Sequence, residues 1–297
     1  MQNNNEGEQK VYFARHKYET RNVEPLFKDH RIGIHYKDSK SIRPEDYLEI
    51  DGKEYKTAES TMRRYNEILN EGAIVGAVYE NHEEIMLVGK VEPRTGNEPV
   101  SVEANDKGIF KTAKLVNCKT VRLAGCPVLW AIMPRQSTLV EWKKGAKILQ
   151  IIMSGKKELD REAESLGTGQ LEVLCYGYMV KNRYISALLL PIGRTLRAVD
   201  IYGMDENNQL IMAQVTQSDN KKEIENKKDK LLEAAKLPAA EKKESIKLFL
   251  FARTPSKEEP QVKIIDIKEV FDELDTDGYY HKIISRMLHI EFEEGCL

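Results

Sequence analysis

Two carboxylates and one carboxamide in the middle of the chain have side chains suited to holding a divalent metal ion. Glu172 stands at the border of an apolar helical stripe, Asp200 ends or leaves a first hairpin strand, and Gln214 lies on its partner. Such oxygens are hard ligands, which suit Mg²⁺ or Mn²⁺. An ion held there can polarise a phosphodiester and activate a water molecule. The simpler interpretation is a buried hairpin with one solvated aspartate, and spacing alone favours it.

The surrounding stretch, residues 167–218, predicts the elements that position these side chains. Apolar residues at i, i+3, i+4, i+7 and i+8 predict a helix on Leu171, Leu174, Cys175, Tyr178 and Met179. Short apolar runs then predict strands at 184–190, 198–203 and 210–216, with a polar turn at 204–209. This order brings the two carboxylates and the carboxamide towards one another.

The same stretch resembles the PD-(D/E)xK nuclease core, in particular its Mrr-like restriction endonuclease branch. The resemblance rests on the helical Glu172, on a segment that contains Gly193, Arg194, Val199 and Asp200, and on the run Gln214-Val215-Thr216. It implies a restriction-endonuclease-like α/β fold, DNA as a partner, and Mg²⁺ or Mn²⁺ as cofactor. It also implies that Glu172, Asp200 and Gln214 hold the metal ion.

The chain departs from this family at Thr216, where the family carries a lysine that helps to align or activate the attacking water. Threonine cannot supply a positive charge. Either another cation substitutes, or the domain keeps the nuclease fold without cutting. The nearby candidate cations are Lys221, Lys222, Arg194 and Arg197. The predicted catalytic set is therefore Glu172, Asp200, Gln214, Thr216 and Lys222.

Length and composition allow two ordinary soluble domains. The 297 residues are 41% hydrophobic and 32% charged, which is typical of globular proteins. Lys and Arg number 46 against 48 Asp and Glu, so a nucleic-acid partner needs local basic patches rather than a net positive charge.

Cysteine usage and hydropathy exclude further classes. The cysteines at 118, 126, 175 and 296 show no paired spacing, so no zinc site is predicted. The sequence shows no signal peptide and no apolar run of about 18 residues. These features predict a cytoplasmic protein with reduced thiols and no membrane contact.

Short strand signals dominate the first half of the chain and predict a compact, mostly β, barrel-like domain at residues 1–150. Apolar runs predict strands at 11–15, 31–36, 74–80, 84–91, 114–123 and 127–133. The last of these runs contains Trp130. A charged, helical link at 151–166 opens the second predicted domain, residues 151–297.

This half resembles the PUA/EVE-like modules, through the segments at 31–36, 72–91 and 128–142. The resemblance implies a pocket that takes a flipped, modified base. Its predicted walls are Tyr36, Tyr79, Trp130 and Trp142, and its predicted polar readers are Arg135 and Gln136. The simpler interpretation is that aromatic residues fill the core of a small barrel, and Trp130 in an apolar strand fits that interpretation best.

The rest of the second half predicts further alternation of strands and helices, which fits an α/β core. A charged helix at 219–236 carries lysines at 221, 222, 227, 228 and 230, and a later, largely apolar run at 246–252 predicts a buried strand. The lysines either face solvent or contact backbone phosphates, and the sequence favours neither. The predicted nucleic-acid contacts from this half are Arg194 and Lys221. The overall prediction is an α+β or α/β protein with a barrel domain and a nuclease-like domain.

Two functions follow from these expectations. The first is a metal-dependent, modification-dependent DNA endonuclease in restriction or antiphage defence, by analogy of fold. The second is a catalytically inactive nuclease-fold protein that binds nucleic acid or a partner subunit. Thr216 favours the second function, whereas Glu172, Asp200 and Gln214 favour the first. A homodimer and a partner subunit of a defence system both stay open.

Overall fold

A computed structural model gives the architecture of most of the chain. The described residues are 9–16, 23–36, 39–50, 53–54, 56–95, 101–105, 108–135, 138–193, 196, 198–242 and 246–295. The chain forms two compact units, Met1–Leu159 with His289–Leu297 and Asp160–Leu288. The main segment of the first unit thus ends at residue 159, whereas the sequence predicts a boundary at 150. This unit also includes residues 289–297, which the sequence analysis assigns to the second domain.

Within the described residues, the first unit combines two principal sheets with four helices. Its helices are α1 (Glu24–Lys28), α2 (Lys56–Glu71), α3 (Pro127–Ile132) and α4 (Ala146–Met153). Its strands are β1 (Val11–His16), β2 (Arg31–Ile34), β3 (Glu49–Ile50), β4 (Lys53–Glu54), β5 (Ala73–Tyr79), β6 (Ile85–Val91), β7 (Ser101–Asn105), β8 (Gly108–Lys114), β9 (Val116–Arg122), β10 (Leu139–Glu141) and β17 (Phe292–Glu294). The larger sheet has the order β10-β1-β5-β6-β9-β17 and the smaller one β2-β8-β7.

Strand β5 shows why the larger sheet is the centre of this unit. All seven of its residues are buried, which is the burial pattern of a strand covered on both faces. Met62 and Tyr65 of α2 share a core with Val75 on one face. On the other face, Leu149 of α4 approaches Gly76 so closely that a Cβ there would lie 3.0 Å from its side chain.

Two expectations for this half are wrong. The described residues form no closed barrel, since the larger sheet ends at β10 on one side and β17 on the other. The run 127–133 forms helix α3, not a strand. Pro127 occupies the first turn of α3, where it costs no hydrogen bond, and the Trp130 N–H donates to the Cys126 carbonyl. A short apolar run has no period long enough to separate the two structures.

The described part of the second unit is a six-stranded mixed sheet with four helices. Its helices are α5 (Thr168–Lys181), α6 (Lys221–Lys242), α7 (Ile267–Asp275) and α8 (Gly278–Leu288), and its strands are β11 (Ala187–Leu188), β12 (Ile201–Met204), β13 (Leu210–Val215), β14 (Ile246–Ala252), β15 (Lys257–Glu258) and β16 (Lys263–Asp266). The sheet order is β11-β12-β13-β14-β16-β15. Strands β12 and β13 are antiparallel, whereas β13, β14 and β16 are parallel.

Helix α6 is the crossover that makes β13 and β14 parallel neighbours. Ile224 and Leu231 of this helix share a core with Met212 and Leu248 of the two strands. The predicted strand at 184–190 is reduced to β11, whose residues Ala187 and Leu188 pair in register with β12. Both units therefore mix α and β structure. No helix among the described residues has the length and apolar character needed to cross a membrane.

Candidate metal centre

Asp200 lies immediately before β12 and is fixed to β13 at two points. Its backbone N–H donates to the Ala213 carbonyl at 2.9 Å. Its carboxylate Oδ2 accepts the Val215 N–H at 2.8 Å. These two bonds flank Gln214 on the strand, and the second gives the Asp200 carboxylate a defined orientation.

Gln214 is a buried polar side chain on the central strand pair of this sheet, and 4% of its surface is exposed. Its Oε1 has no hydrogen-bond partner among the described residues. A buried acceptor without a partner costs about 1–3 kcal/mol of stability, so such atoms are uncommon in folded proteins unless they meet a water, an ion or a ligand.

Glu172 is also buried, with 8% of its surface exposed, on the first turns of α5. Gly193 stands against its carboxylate, because a Cβ at position 193 would lie 2.7 Å from Glu172 Oε2. The Gly193 N–H donates to the Asp200 backbone carbonyl at 2.8 Å. One glycine therefore contacts both acidic residues, and its φ of +84° is a conformation that other residues rarely adopt.

The Cys175 thiol is buried near both carboxylates. Burial raises its pKa well above the ordinary value, and the charges of Glu172 and Asp200 raise that pKa further. Cys175 lies one turn along α5 from Glu172, at i+3, so it faces the same side of the helix. Both negative charges thus act on one buried atom.

The start of α5 is attached to the end of β13, and this attachment sets the distance between Glu172 and Gln214. Gln170 accepts the Gly167 N–H through Oε1 at 3.0 Å and so caps the helix. Gln217, just beyond β13, donates through Nε2 to the Leu166 carbonyl at 2.8 Å. The helix that carries one carboxylate is therefore held to the strand that carries the carboxamide.

This donor set fits Mg²⁺ or Mn²⁺. It consists of two carboxylates and the amide oxygen of Gln214, all of them hard oxygen ligands. Mg²⁺ is commonly held by one or two carboxylates, and water and substrate phosphates complete its coordination shell. Among the described residues no group of three or more His, Cys, Asp or Glu side chains is placed to hold a metal ion. The third donor here is instead a glutamine.

Thr216, at the position where the predicted resemblance would place a lysine, is buried, with 6% of its surface exposed. Its N–H donates to the Phe251 carbonyl, and its hydroxyl accepts the Ser218 N–H at 3.3 Å. Lys221 and Lys222 are exposed at the start of α6. Neither side chain has a hydrogen bond or ion pair within the described part of the chain, and Arg194 and Arg197 lie outside that part.

The predicted aromatic walls in the first unit do not meet in one pocket. Tyr79 is buried and stacks on His16 at a centroid distance of 4.5 Å. Trp142 is buried against Phe13 at 5.4 Å. Because Phe13 and His16 occupy odd and even positions of the same strand, these contacts lie on opposite faces of the sheet. Tyr36 donates its hydroxyl to Thr61 Oγ1 at 3.0 Å.

Tyr79 does share a cavity with Trp130. A cavity of about 340 Å³ is lined by both aromatics together with Arg15, His16 and Met133. Trp130 is 54% exposed, so the tryptophan that the sequence favours as a core residue is instead on the surface. Arg135 is described and does not line this cavity, and Gln136 lies outside the described residues.

Two features of the metal centre escape the sequence prediction. The first is the steric role of Gly193, for which the only signal is a glycine between two strand-like runs. The second is the Val215 N–H, which orients Asp200. A backbone donor has no sequence signal of its own.

Comparisons with known proteins give little support to either family resemblance. No protein-family profile and no curated protein matches the sequence. Among solved structures, a repair endonuclease from Pyrococcus abyssi aligns with 66% of this chain and 72% of its own, at 8% identity and a TM-score of 0.23. A TM-score of this size does not establish a shared fold.

Proposed function

We propose that the second unit is a metal-dependent nuclease module that acts on DNA, with Glu172, Asp200 and Gln214 as the Mg²⁺ or Mn²⁺ ligands. The observation that carries this proposal is the buried Gln214 Oε1, which lacks a partner among the described residues and precedes the backbone N–H that orients the Asp200 carboxylate. Most buried polar groups that serve only the fold are satisfied by the protein itself or by water. This one is available to an ion.

Each residue has a definable task in that site. Asp200 supplies a carboxylate whose direction is fixed by the Val215 N–H, so it does not have to reorganise when a charged ligand arrives. Glu172 supplies a second negative charge from α5, with its carboxylate against Gly193. Gln214 supplies a neutral oxygen ligand, so it adds no negative charge to that of the two carboxylates.

A bound divalent ion would supply Lewis-acid polarisation of the phosphodiester and a lowered pKa for a bound water. Thr216 can offer a hydroxyl to orient a water or a phosphate oxygen. It cannot offset negative charge that develops in the transition state, because it carries no cation.

The second candidate function is nucleic-acid binding without cleavage, and the buried, neutral Thr216 favours it. In this case the same three residues would hold a metal ion that positions DNA without activating a water molecule. The two functions share the metal site and differ in turnover.

Finer assignments extend the same proposal. We infer a modification-dependent, Mrr-like nuclease of restriction or antiphage defence, acting as a homodimer or with a partner subunit. The first unit would serve as a PUA/EVE-like reader of a modified base, and its cavity beside Tyr79 and Trp130 supports that role. An exposed tryptophan offers a face on which a base can stack.

The test combines metal binding with turnover. Calorimetric titration of the protein with Mn²⁺ should show one site, and incubation with Mg²⁺ or Mn²⁺ should cleave plain or cytosine-modified duplex DNA until a chelator is added. Metal binding without cleavage would select the second function. Absence of both metal binding and cleavage would contradict the metal centre itself.

A further inference from the structure

A second concave surface, in the first unit, has the opposite charge to the metal centre. This lysine groove encloses about 650 Å³ between β6, β9 and β17. The residues relevant here are His30, Lys90, Lys114, Cys118, Lys119 and Glu294. Three of these six are lysines and one is acidic.

The single carboxylate of this set is already paired. Lys119 Nζ lies 2.7 Å from Glu294 Oε1, and the Lys119 side chain is only 9% exposed. Its ammonium also stands 4.8 Å from the centre of the Phe292 ring, a favourable cation–π distance. Glu294 therefore leaves no net negative charge to the groove.

The other two lysines have no counter-charge among the described residues. Lys90 and Lys114 have no side-chain hydrogen bond or ion pair with any described residue, and the same holds for His30. Lys90 is half-buried and Lys114 is exposed. Two ammonium groups thus face a concave surface without a counter-charge, in a chain whose formal net charge is −2.

The backbone brings these residues together from distant parts of the sequence. Lys90 of β6 pairs with Val116 of β9, which places it two positions from Lys114. His30 accepts the Leu115 N–H through its backbone carbonyl at 2.8 Å. The two lysines and the histidine therefore have fixed backbone positions, whereas their side chains keep their freedom.

We propose that the lysine groove binds the phosphodiester backbone of nucleic acid. Lysine is a compact charge on a flexible stem, which suits phosphate contacts that fix position without reading bases. A protein without a net positive charge needs such a local patch to bind nucleic acid. The choice of nucleic acid rests on the proposed function, but the groove is in the other unit and its test does not depend on the metal centre.

The first experiment measures duplex DNA binding by fluorescence anisotropy in the presence of a chelator, so that no cleavage occurs. We expect the double variant Lys90→Gln/Lys114→Gln to raise Kd about tenfold at low salt and to lower the slope of log K against log salt by roughly 0.9 per lost contact. The matched control is Lys143→Gln/Lys144→Gln, which removes two exposed lysines of the same unit. Thermal unfolding of both variants checks the fold.

The second experiment uses Cys118 as a reporter, because its half-buried thiol lines the groove. Bound duplex should slow alkylation of Cys118 several-fold in the wild type, as measured by mass spectrometry of its peptide. In the Lys90→Gln/Lys114→Gln variant the same DNA concentration should protect it less.

Three outcomes would overturn the groove. They are equal affinities for the two double variants, unprotected Cys118 under saturating DNA, and a wild type that retains no duplex at all. Cleavage assayed separately with Mn²⁺ shows whether the nuclease proposal fails too. If the wild type cleaves DNA and the Lys90→Gln/Lys114→Gln variant binds DNA as tightly as the wild type, the proposed metal centre stands. The DNA then binds outside the lysine groove.

Discussion

Two buried polar side chains, one in each unit, are treated in opposite ways. His16 is 1% exposed, and both ring nitrogens are engaged, with Val78 O at 3.3 Å and the Gly33 N–H at 3.0 Å. Gln214 is 4% exposed, and its Oε1 has no partner among the described residues. The protein itself satisfies the first group. No described residue supplies a hydrogen bond to the second group.

The surroundings of Gln214 make this difference informative. The Tyr65 hydroxyl and the Trp142 indole N–H also lack a partner within the described structure, but the pKa of Tyr65 is raised by burial rather than by nearby carboxylates. Gln214 adjoins an oriented aspartate and a helix that carries a buried glutamate. Glu172, Asp200 and Gln214 supply oxygen donors, the ligand type that a hard metal ion prefers.

Asp200→Asn is the substitution with the largest expected effect. Asparagine can still accept the Val215 N–H through its Oδ1, so the fold should persist while one charge of the metal centre is lost. We expect cleavage to fall on the order of 1000-fold, because loss of metal-centred charge stabilisation amounts to several kcal/mol. Single-turnover cleavage of duplex DNA with Mn²⁺ measures this fall.

Asp219→Asn is the matched control for that experiment. Asp219 is exposed a few residues beyond β13, so removing its charge should leave cleavage and Mn²⁺ affinity unchanged. If both variants cleave like the wild type, the active centre is elsewhere and Gln214 is merely an unsatisfied group.

The counterpart in the first unit is a pH dependence of stability. Burial lowers the pKa of His16 from 6.5 to about 4, and the hydrogen bond to Val78 only partly opposes this. Below pH 6.5 the unfolded chain binds a proton that the folded chain refuses, so stability is complete above 6.5 and is lost as the pH falls towards 4. The loss should reach about 3 kcal/mol over that range.

Urea unfolding of the wild type and His16→Phe at several pH values isolates this contribution. The variant should be less stable at pH 7, because the Gly33 N–H loses its acceptor, at a cost of about 1–3 kcal/mol. It should also show a shallower dependence between pH 6.5 and 4. If the free energy of unfolding has the same pH dependence in both proteins, the folded protein binds a proton at His16 as readily as the unfolded chain does.

The sequence predicts secondary structure with a regular apolar period well, and it predicts contacts between residues distant in the chain poorly. The strands at 201–204 and 210–215 and the helix at 168–181 follow from regular apolar spacing and a polar turn. Helix α3 is missed because a run of six residues has no diagnostic period. The lysine groove draws on positions 30, 90, 114 and 119 of separate elements, and the missing partner of Gln214 is a property of the whole packed interior.

Thr216→Lys tests whether cleavage is limited by the absent cation. We expect at least about a tenfold gain in the rate, since a positioned cation can activate water or stabilise developing charge. Thr216→Met is the control, because methionine has a long unbranched side chain without the charge. Thr216 is buried, so both variants should lose stability, and rates should be compared where both are folded. Equal rates would remove Thr216 from the catalytic set.

Gln214→Met has the smallest expected effect. It tests most directly whether Gln214 differs from His16 in lacking a partner within the fold. Replacing a buried, unsatisfied amide by an apolar side chain of similar length removes a desolvation cost, so the metal-free protein should gain about 1 kcal/mol in free energy of unfolding. The same change removes a ligand, so the rise in Tm that Mn²⁺ causes in the wild type should largely disappear. Stability gained without metal and lost with it is the behaviour of a group kept for binding. Destabilisation under both conditions would instead show that Gln214, like His16, has partners that serve the fold.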